Sequence, residues 1–138
     1  MNIEDIRRMA KSRVEVAQKT LADFGKKLQD ENVLQAVEWS HEMYTAGGDL
    51  RVWKHIAIIA GEGAVPDGVD GVKVVLDELQ TFAIQGASRI PSSSSFTGNR
   101  YDLECTRAYA EAYRELERRD RNARERAEAH QNASGTPA

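Results

Sequence analysis

The last third of the sequence has the periodicity of one continuous helix, but only the first half of that helix has an apolar face. Apolar residues recur along Tyr101 to Leu116, whereas Glu117 to His130 contains almost none. A helix of about 30 residues is ~45 Å long, which exceeds the diameter of a small domain. The second half must therefore lie in solvent or against a partner. This length favours a protein that acts by binding.

Apolar residues spaced three and four apart predict four more helices upstream of this one. Their predicted ranges are 3–28, 30–48, 50–60 and 70–88. Asn2 followed by Asp5 is typical of a capped helix start, and Asp67 or Asp70 can cap the fourth helix. The glycine- and proline-containing segment from Gly61 onwards predicts the loop before it.

The pair Gly47-Gly48 predicts the end of the second helix, since glycine readily adopts the left-handed conformation of a helix C-cap. Asp49 follows directly and is a suitable N-cap for a third helix beginning at Leu50. The sequence thus predicts a helix break at residues 47–49.

Together these patterns predict an all-α fold, a single-domain bundle of about five helices with a long charged C-terminal helix. Residues 1–130 would form the helical domain, with a flexible Ser-rich loop at 91–99 and a short disordered tail at 131–138. A chain of 138 residues, 41% of them hydrophobic and 30% charged, can bury a core of its own.

The composition also predicts where the protein resides. No apolar run approaches the ~20 residues of a membrane span, so we expect no membrane association. The N-terminus lacks the apolar core of a secretory signal, and the single Cys105 cannot form an internal disulfide. We therefore expect a cytoplasmic protein with a buried, inert thiol.

One short motif has the spacing of metal ligands. Glu38 and His41 are three residues apart, as in ferritin-like bundles that hold two metal ions, and Glu42 and His55 could join them. Such a site needs two of these motifs, and the sequence has one. The alternative without a metal is a histidine at the edge of the core beside a solvated glutamate. We predict no cofactor.

The first predicted helix has a basic face that could contact nucleic acid. Its members project within roughly 120° of one another; they are Arg7, Arg8, Lys11, Lys19 and Lys26. Glu4 and Glu15 interrupt this face, and the formal net charge of the chain is -3, whereas a dedicated phosphate binder concentrates positive charge. A solvated basic face is the alternative.

The C-terminal helix supplies the predicted partner-binding residues. They combine its aromatic stripe with exposed arginines, and they are Tyr101, Tyr109, Tyr113, Leu116, Arg118 and Arg121. Acidic residues precede basic ones by four positions, as in Glu115 with Arg119, Glu117 with Arg121 and Asp120 with Arg124. Such pairs stabilise a solvated helix by ~0.2–0.5 kcal/mol each.

Motifs for catalysis are lacking in the sequence, which contains no HExxH, CxxC or P-loop pattern. We therefore predict a non-enzymatic, regulatory protein–protein interaction module that associates with itself as a homo-oligomer. The alternatives are a nucleic-acid-binding accessory protein that uses the first helix and a carboxylate/His metal-binding bundle.

Overall fold

A computed structural model describes residues 1–30, 40–89 and 96–134. These residues form four helices, which are α1 (Ile3–Asp30), α2 (Ser40–Ile59), α3 (Gly71–Arg89) and α4 (Phe96–Ser134). The predicted all-α class is confirmed, but the described residues form four helices where the sequence predicted a bundle of about five. The second helix was predicted to begin near Asp30 or Asn32. Asp30 is the last residue of α1, and residues 31–39 lie outside the described part of the chain.

The predicted break at Gly47-Gly48 is wrong, because α2 runs without interruption through both glycines and Asp49. Among the described residues, left-handed φ angles occur at Gly63 and Gly68, in the connection between α2 and α3. Gly48 has a different role: a Cβ atom there would lie 2.9 Å from the backbone carbonyl carbon and oxygen of Glu104. This glycine allows α2 and α4 to approach each other closely.

The predicted caps at two helix starts are confirmed. The Asn2 side chain accepts a hydrogen bond from the Asp5 amide at 3.0 Å, and the Asp5 carboxylate accepts one from the Asn2 amide at 2.8 Å. This reciprocal pair is a capping box. At the start of α3, the Asp70 carboxylate accepts hydrogen bonds from the amides of Val72 and Lys73.

The core lies where all four helices meet. α2 packs against α1 and α4, and α4 also packs against α3. The largest fully buried side chains come from every helix, and they are Ile6, Ile56, Leu79, Leu116, Val52 and Val75. Gly86 of α3 is packed so closely on Thr106 of α4 that a Cβ atom there would overlap the threonine side chain.

The C-terminal helix is longer than the sequence predicted at both ends. It includes residues 96–99, placed in the Ser-rich loop by the sequence, and it continues to Ser134, past the predicted start of the tail at 131. Residues 91–95 and 135–138 lie outside the described part. Side chains from Arg121 to Ala133 are exposed except for half-buried Ala123, so this end of α4 extends beyond the core.

No helix in the described part of the chain combines the length and the apolarity needed to cross a membrane.

Candidate interaction cleft between α1 and α4

Two surface grooves follow the space between α1 and α4. The first has a volume of about 480 Å³, with side chains of α2, including Ala46 and Trp53, at its base. The second has a volume of about 650 Å³ and lies between the start of α1 and the second half of α4. Both are lined by α1 on one side and by α4 on the other.

The lining residues of the two grooves follow one face of each helix. On α1 they step by three and four residues, through Thr20, Val16, Arg13, Met9 and Asp5. On α4 they step in the same way, through Ala108, Glu111, Glu115, Arg118, Asn122 and Arg126. Such spacing keeps residues on a single helix face. We therefore treat the two grooves as one cleft, the α1–α4 cleft.

An ion pair joins the two walls where the grooves meet. Arg13 of α1 donates to the Glu115 carboxylate of α4 at 2.5 Å, across 102 residues of sequence. The guanidinium of Arg13 also lies over the ring of Trp53, 5.2 Å from its centroid. These contacts hold Arg13 in place and divide the cleft into two halves.

The half that has α2 at its base is mainly acidic. Its carboxylates come from α2 and α4, and they are Glu42, Asp49, Glu111 and Glu115. Arg107 pairs with both Asp49 and Glu111, so these two carboxylates are held by a cation. Glu42 is exposed and has no ion-pair partner among the described residues. Val16 lines this half with 61% of its surface exposed.

The other half, here called the arginine half, is basic. Arg8, Arg118, Arg119 and Arg126 line it, with Asp5 as its only acidic residue among those described. Arg8 pairs with Asp5, and Arg119 pairs with Glu115 at 3.2 Å. A hydrogen bond from the Asn2 amide, with the Arg8 guanidinium nearby, lowers the pKa of Asp5 below its usual range.

Two arginines of this half have no ion-pair partner within the described part of the chain. Arg118 and Arg126 are both exposed, eight residues apart on α4. The sequence explains Arg126, because the positions three and four residues away from it are Asn122, Ala123, Ala129 and His130, none of them a carboxylate. Arg118 has Glu115 three residues before it, but that carboxylate pairs with Arg13 and Arg119. A search of the sequence for arginines with no carboxylate three or four positions away would have identified Arg126 as an unpaired arginine.

The three ion pairs predicted along α4 are all present. Arg119 lies 3.2 Å from Glu115, Arg121 lies 3.6 Å from Glu117, and Arg124 lies 2.9 Å from Asp120. Asp120 is buried, so its pairing with Arg124 satisfies a carboxylate that would otherwise destabilise the fold.

The predicted partner-binding stripe on α4 lies largely inside the protein. Leu116 is fully buried and Tyr109 is 8% exposed, so neither side chain can contact a partner while the fold is intact. Tyr101 and Tyr113 are half-buried, whereas Arg118 and Arg121 are exposed. The apolar periodicity of this stripe reflects the core of the protein, since α2 and α3 pack against it.

The structure separates the residues of the predicted metal site. Glu38 lies outside the described residues, and His41 and Glu42 are exposed on the acidic half of the cleft. His55 is on the same helix as His41, fourteen residues later, which places it ~21 Å away along the axis. Its Nδ1 lies 2.8 Å from the Tyr109 hydroxyl oxygen, and its ring packs edge-on against Phe82. His41 and His55 therefore cannot share a metal ion.

The predicted basic face of α1 divides into two kinds of residue. Arg7 is half-buried. It pairs with Glu4 and donates a hydrogen bond to the Ala60 carbonyl oxygen at 2.5 Å. Arg8 lies in the arginine half of the cleft. The other members, Lys11, Lys19 and Lys26, are exposed and line neither groove.

The thiol of Cys105 is buried, as the sequence predicted. It lies beside a small pocket of about 130 Å³ between α2, α3 and α4. Burial raises the pKa of the thiol, which disfavours the reactive thiolate.

Comparison with known proteins finds no matching family model, curated protein or solved structure.

Proposed function

We propose that this protein is a non-enzymatic, cytoplasmic interaction module, with a regulatory role, that binds a helical segment of another protein in the α1–α4 cleft. The observation that carries this proposal is the cleft itself, which has one helix as each wall and opposite charge in its two halves. Recognition of this kind, with a helix seated in a groove, is a common mode of peptide binding.

The side chains of the cleft suit a helical ligand. The exposed surface of Val16 offers an apolar contact at the acidic half, where the almost fully buried Ala46 and Ala112 form part of the lining. Charged residues surround them, in the arrangement of an apolar centre with a polar rim that interfaces share. Arg13 is already fixed by Glu115 and Trp53, so its contribution to binding requires little loss of side-chain freedom.

Self-association is a second candidate function, favoured by the exposed end of α4. Residues 121–134 form about four helical turns beyond the core, with a length of ~21 Å. Light scattering on the full chain would then give a multiple of 15.4 kDa, and removal of residues 126–138 would give a monomer. A full chain that is monomeric over the whole concentration range would exclude this candidate.

Replacement of Val16 by a photo-crosslinking amino acid tests whether the cleft binds a helical segment of another protein. Ile84 is the matched control, because it is 65% exposed and lies on α3, away from the cleft. Crosslinking is carried out in the native cells, and the joined peptides are identified by mass spectrometry. We expect the probe at position 16 to join a helical segment of one other protein, and the probe at position 84 to leave that protein unlabelled.

Two results would contradict the proposal. One is the same set of adducts from both positions, which would indicate random collision. The other is crosslinking from position 16 only to a second copy of this chain, which would assign the cleft to self-association.

A further inference from the structure

We infer that the arginine half of the cleft recognises carboxylates, so that the bound segment is a helix with an acidic end. This inference rests on the proposed function and adds the chemistry of the partner. It starts from Arg118 and Arg126, which are exposed and have no ion-pair partner in the described part of the chain, although four other arginines of the same helix, Arg107, Arg119, Arg121 and Arg124, pair with carboxylates.

The spacing of these two arginines defines what they can hold. Eight residues on α4 separate them by ~12 Å along the helix axis. A helix lying beside α4 presents carboxylates at a similar distance when they are seven or eight residues apart. Asn122 lies between the two arginines and offers an amide donor, and Arg8, which is paired with Asp5, lies on the opposite wall. Guanidinium groups bind carboxylates through two parallel hydrogen bonds, which favours this pairing.

The charge of the acidic half determines the orientation of the bound segment in the cleft. Glu42, Asp49 and Glu111 line the acidic half, and Arg107 pairs with the last two, so an acidic segment that continued through the whole cleft would meet a net negative charge there. A partner helix that is acidic at one end and basic at the other would match both halves. The geometry therefore points to one orientation of the bound segment, with its acidic end beside Arg118 and Arg126.

The same observations favour a peptide over a nucleic acid. A phosphate backbone that followed the cleft would meet the carboxylates of the acidic half. Among the described residues that line the arginine half, none is aromatic, so unpaired bases would have no side chain on which to stack.

The test uses a fluorescent, alanine-based helical peptide of about 21 residues, or six turns, with glutamates in one half and lysines in the other. A second peptide has the same composition with the two charges mixed evenly. Fluorescence anisotropy gives the affinity of each for the full-length protein at low and moderate salt. We expect the peptide with separated charges to bind at least ~10-fold more tightly than the mixed one, with the difference decreasing as salt screens it.

Charge reversal locates the site. R118E/R126E is expected to reduce binding of the peptide with separated charges by ~10-fold or more. K19E/K26E is the matched control, because it makes the same change in charge with exposed residues outside the cleft, and it should change the affinity less than ~2-fold. Circular dichroism confirms folding of both variants, and R118A/R126A replaces the reversal if that variant unfolds.

Three outcomes would overturn the inference. They are equal binding of the two peptides, equal losses in the two double variants, and displacement of the peptide by a single-stranded oligonucleotide at a lower concentration than by an unlabelled copy of itself. The crosslinking test from Val16 is independent of all three. A partner helix found there without acidic residues would leave the proposed function standing while the inference failed.

Discussion

Gly47 and Gly48 are adjacent in the sequence but differ in what surrounds them. A Cβ atom at Gly47 would lie 3.8 Å from the Tyr101 ring, an ordinary contact, whereas one at Gly48 would lie 2.9 Å from the Glu104 backbone. Glycine inside a helix destabilises it by roughly 0.5–1 kcal/mol relative to alanine. Glycine at position 48 therefore lowers the stability of helix α2 itself but permits its close packing on α4.

Alanine substitutions at the two positions should have opposite effects. We expect Gly48→Ala to lower the free energy of unfolding by about 1–3 kcal/mol, because backbone atoms must move apart. Gly47→Ala should raise it by up to ~1 kcal/mol through the better helix propensity of alanine. Urea denaturation of both variants measures the difference. Similar effects at both positions would contradict the packing role assigned to Gly48.

The capping box at the start of α1 predicts a pH dependence. The pKa of Asp5 is lower in the folded protein than its ordinary value of 3.8, so its carboxylate stabilises the fold above that value and loses this effect as the pH falls through the folded pKa. Asp5→Asn should lower stability by less than ~1 kcal/mol at about pH 7, since the group is partly exposed. The difference should vanish at about pH 2, as measured by thermal melting. A constant difference across this range would exclude a role for the charge.

Local sequence spacing explains which of these residue-level features could be predicted. The Asn2–Asp5 cap and the ion pairs along α4 join residues three or four positions apart, so their partners are visible in the sequence itself. The environment of Gly48 depends on Glu104, 56 positions later, and no local pattern indicates that contact. A glycine pair followed by aspartate therefore indicated a helix end where the chain continues as helix.

At the scale of elements, α4 combines a buried first half with an exposed second half. Cys105, Ala108, Tyr109, Ala112 and Leu116 of the predicted stripe are buried, which confirms the apolar periodicity as a guide to the core. The same burial leaves Tyr109 and Leu116 little or no surface for contact with a partner. Helix α2 has apolar residues on more than one face, because it packs against both α1 and α4, and the break predicted within it at residues 47–49 is wrong.

A pair of identical substitutions on α4 tests this division between core and surface. Leu116 is fully buried and Leu103 is 50% exposed. We expect Leu116→Ala to reduce the free energy of unfolding by about 2–5 kcal/mol, because it leaves a cavity in the core. Leu103→Ala should reduce it by less than ~1 kcal/mol, in proportion to the smaller area it buries. Chemical denaturation of the two variants gives both values, and equal losses would contradict the placement of α4 in the fold.

At the scale of the whole molecule, the cleft arises from the way α1 and α4 face each other. Arg13 and Glu115 pair across 102 residues of sequence, and both halves of the cleft are lined by residues from the first and last helices. The sequence identified the charges of both helices, including Arg8 and Arg118, but it could not place them on one surface. Position in the cleft, rather than the number of charges, distinguishes these arginines from the lysines on the outside of α1.

The location of a bound helix is the most direct test of the cleft as a docking site. Titration of isotope-labelled protein with the peptide of separated charges, followed by amide NMR, maps the contact residue by residue. We predict the largest shift changes on both walls and at the base of the cleft, at Val16, Ala46, Glu111 and Arg118. Changes centred instead on Ile84 of α3, or on Lys19 and Lys26 of α1, would contradict the account.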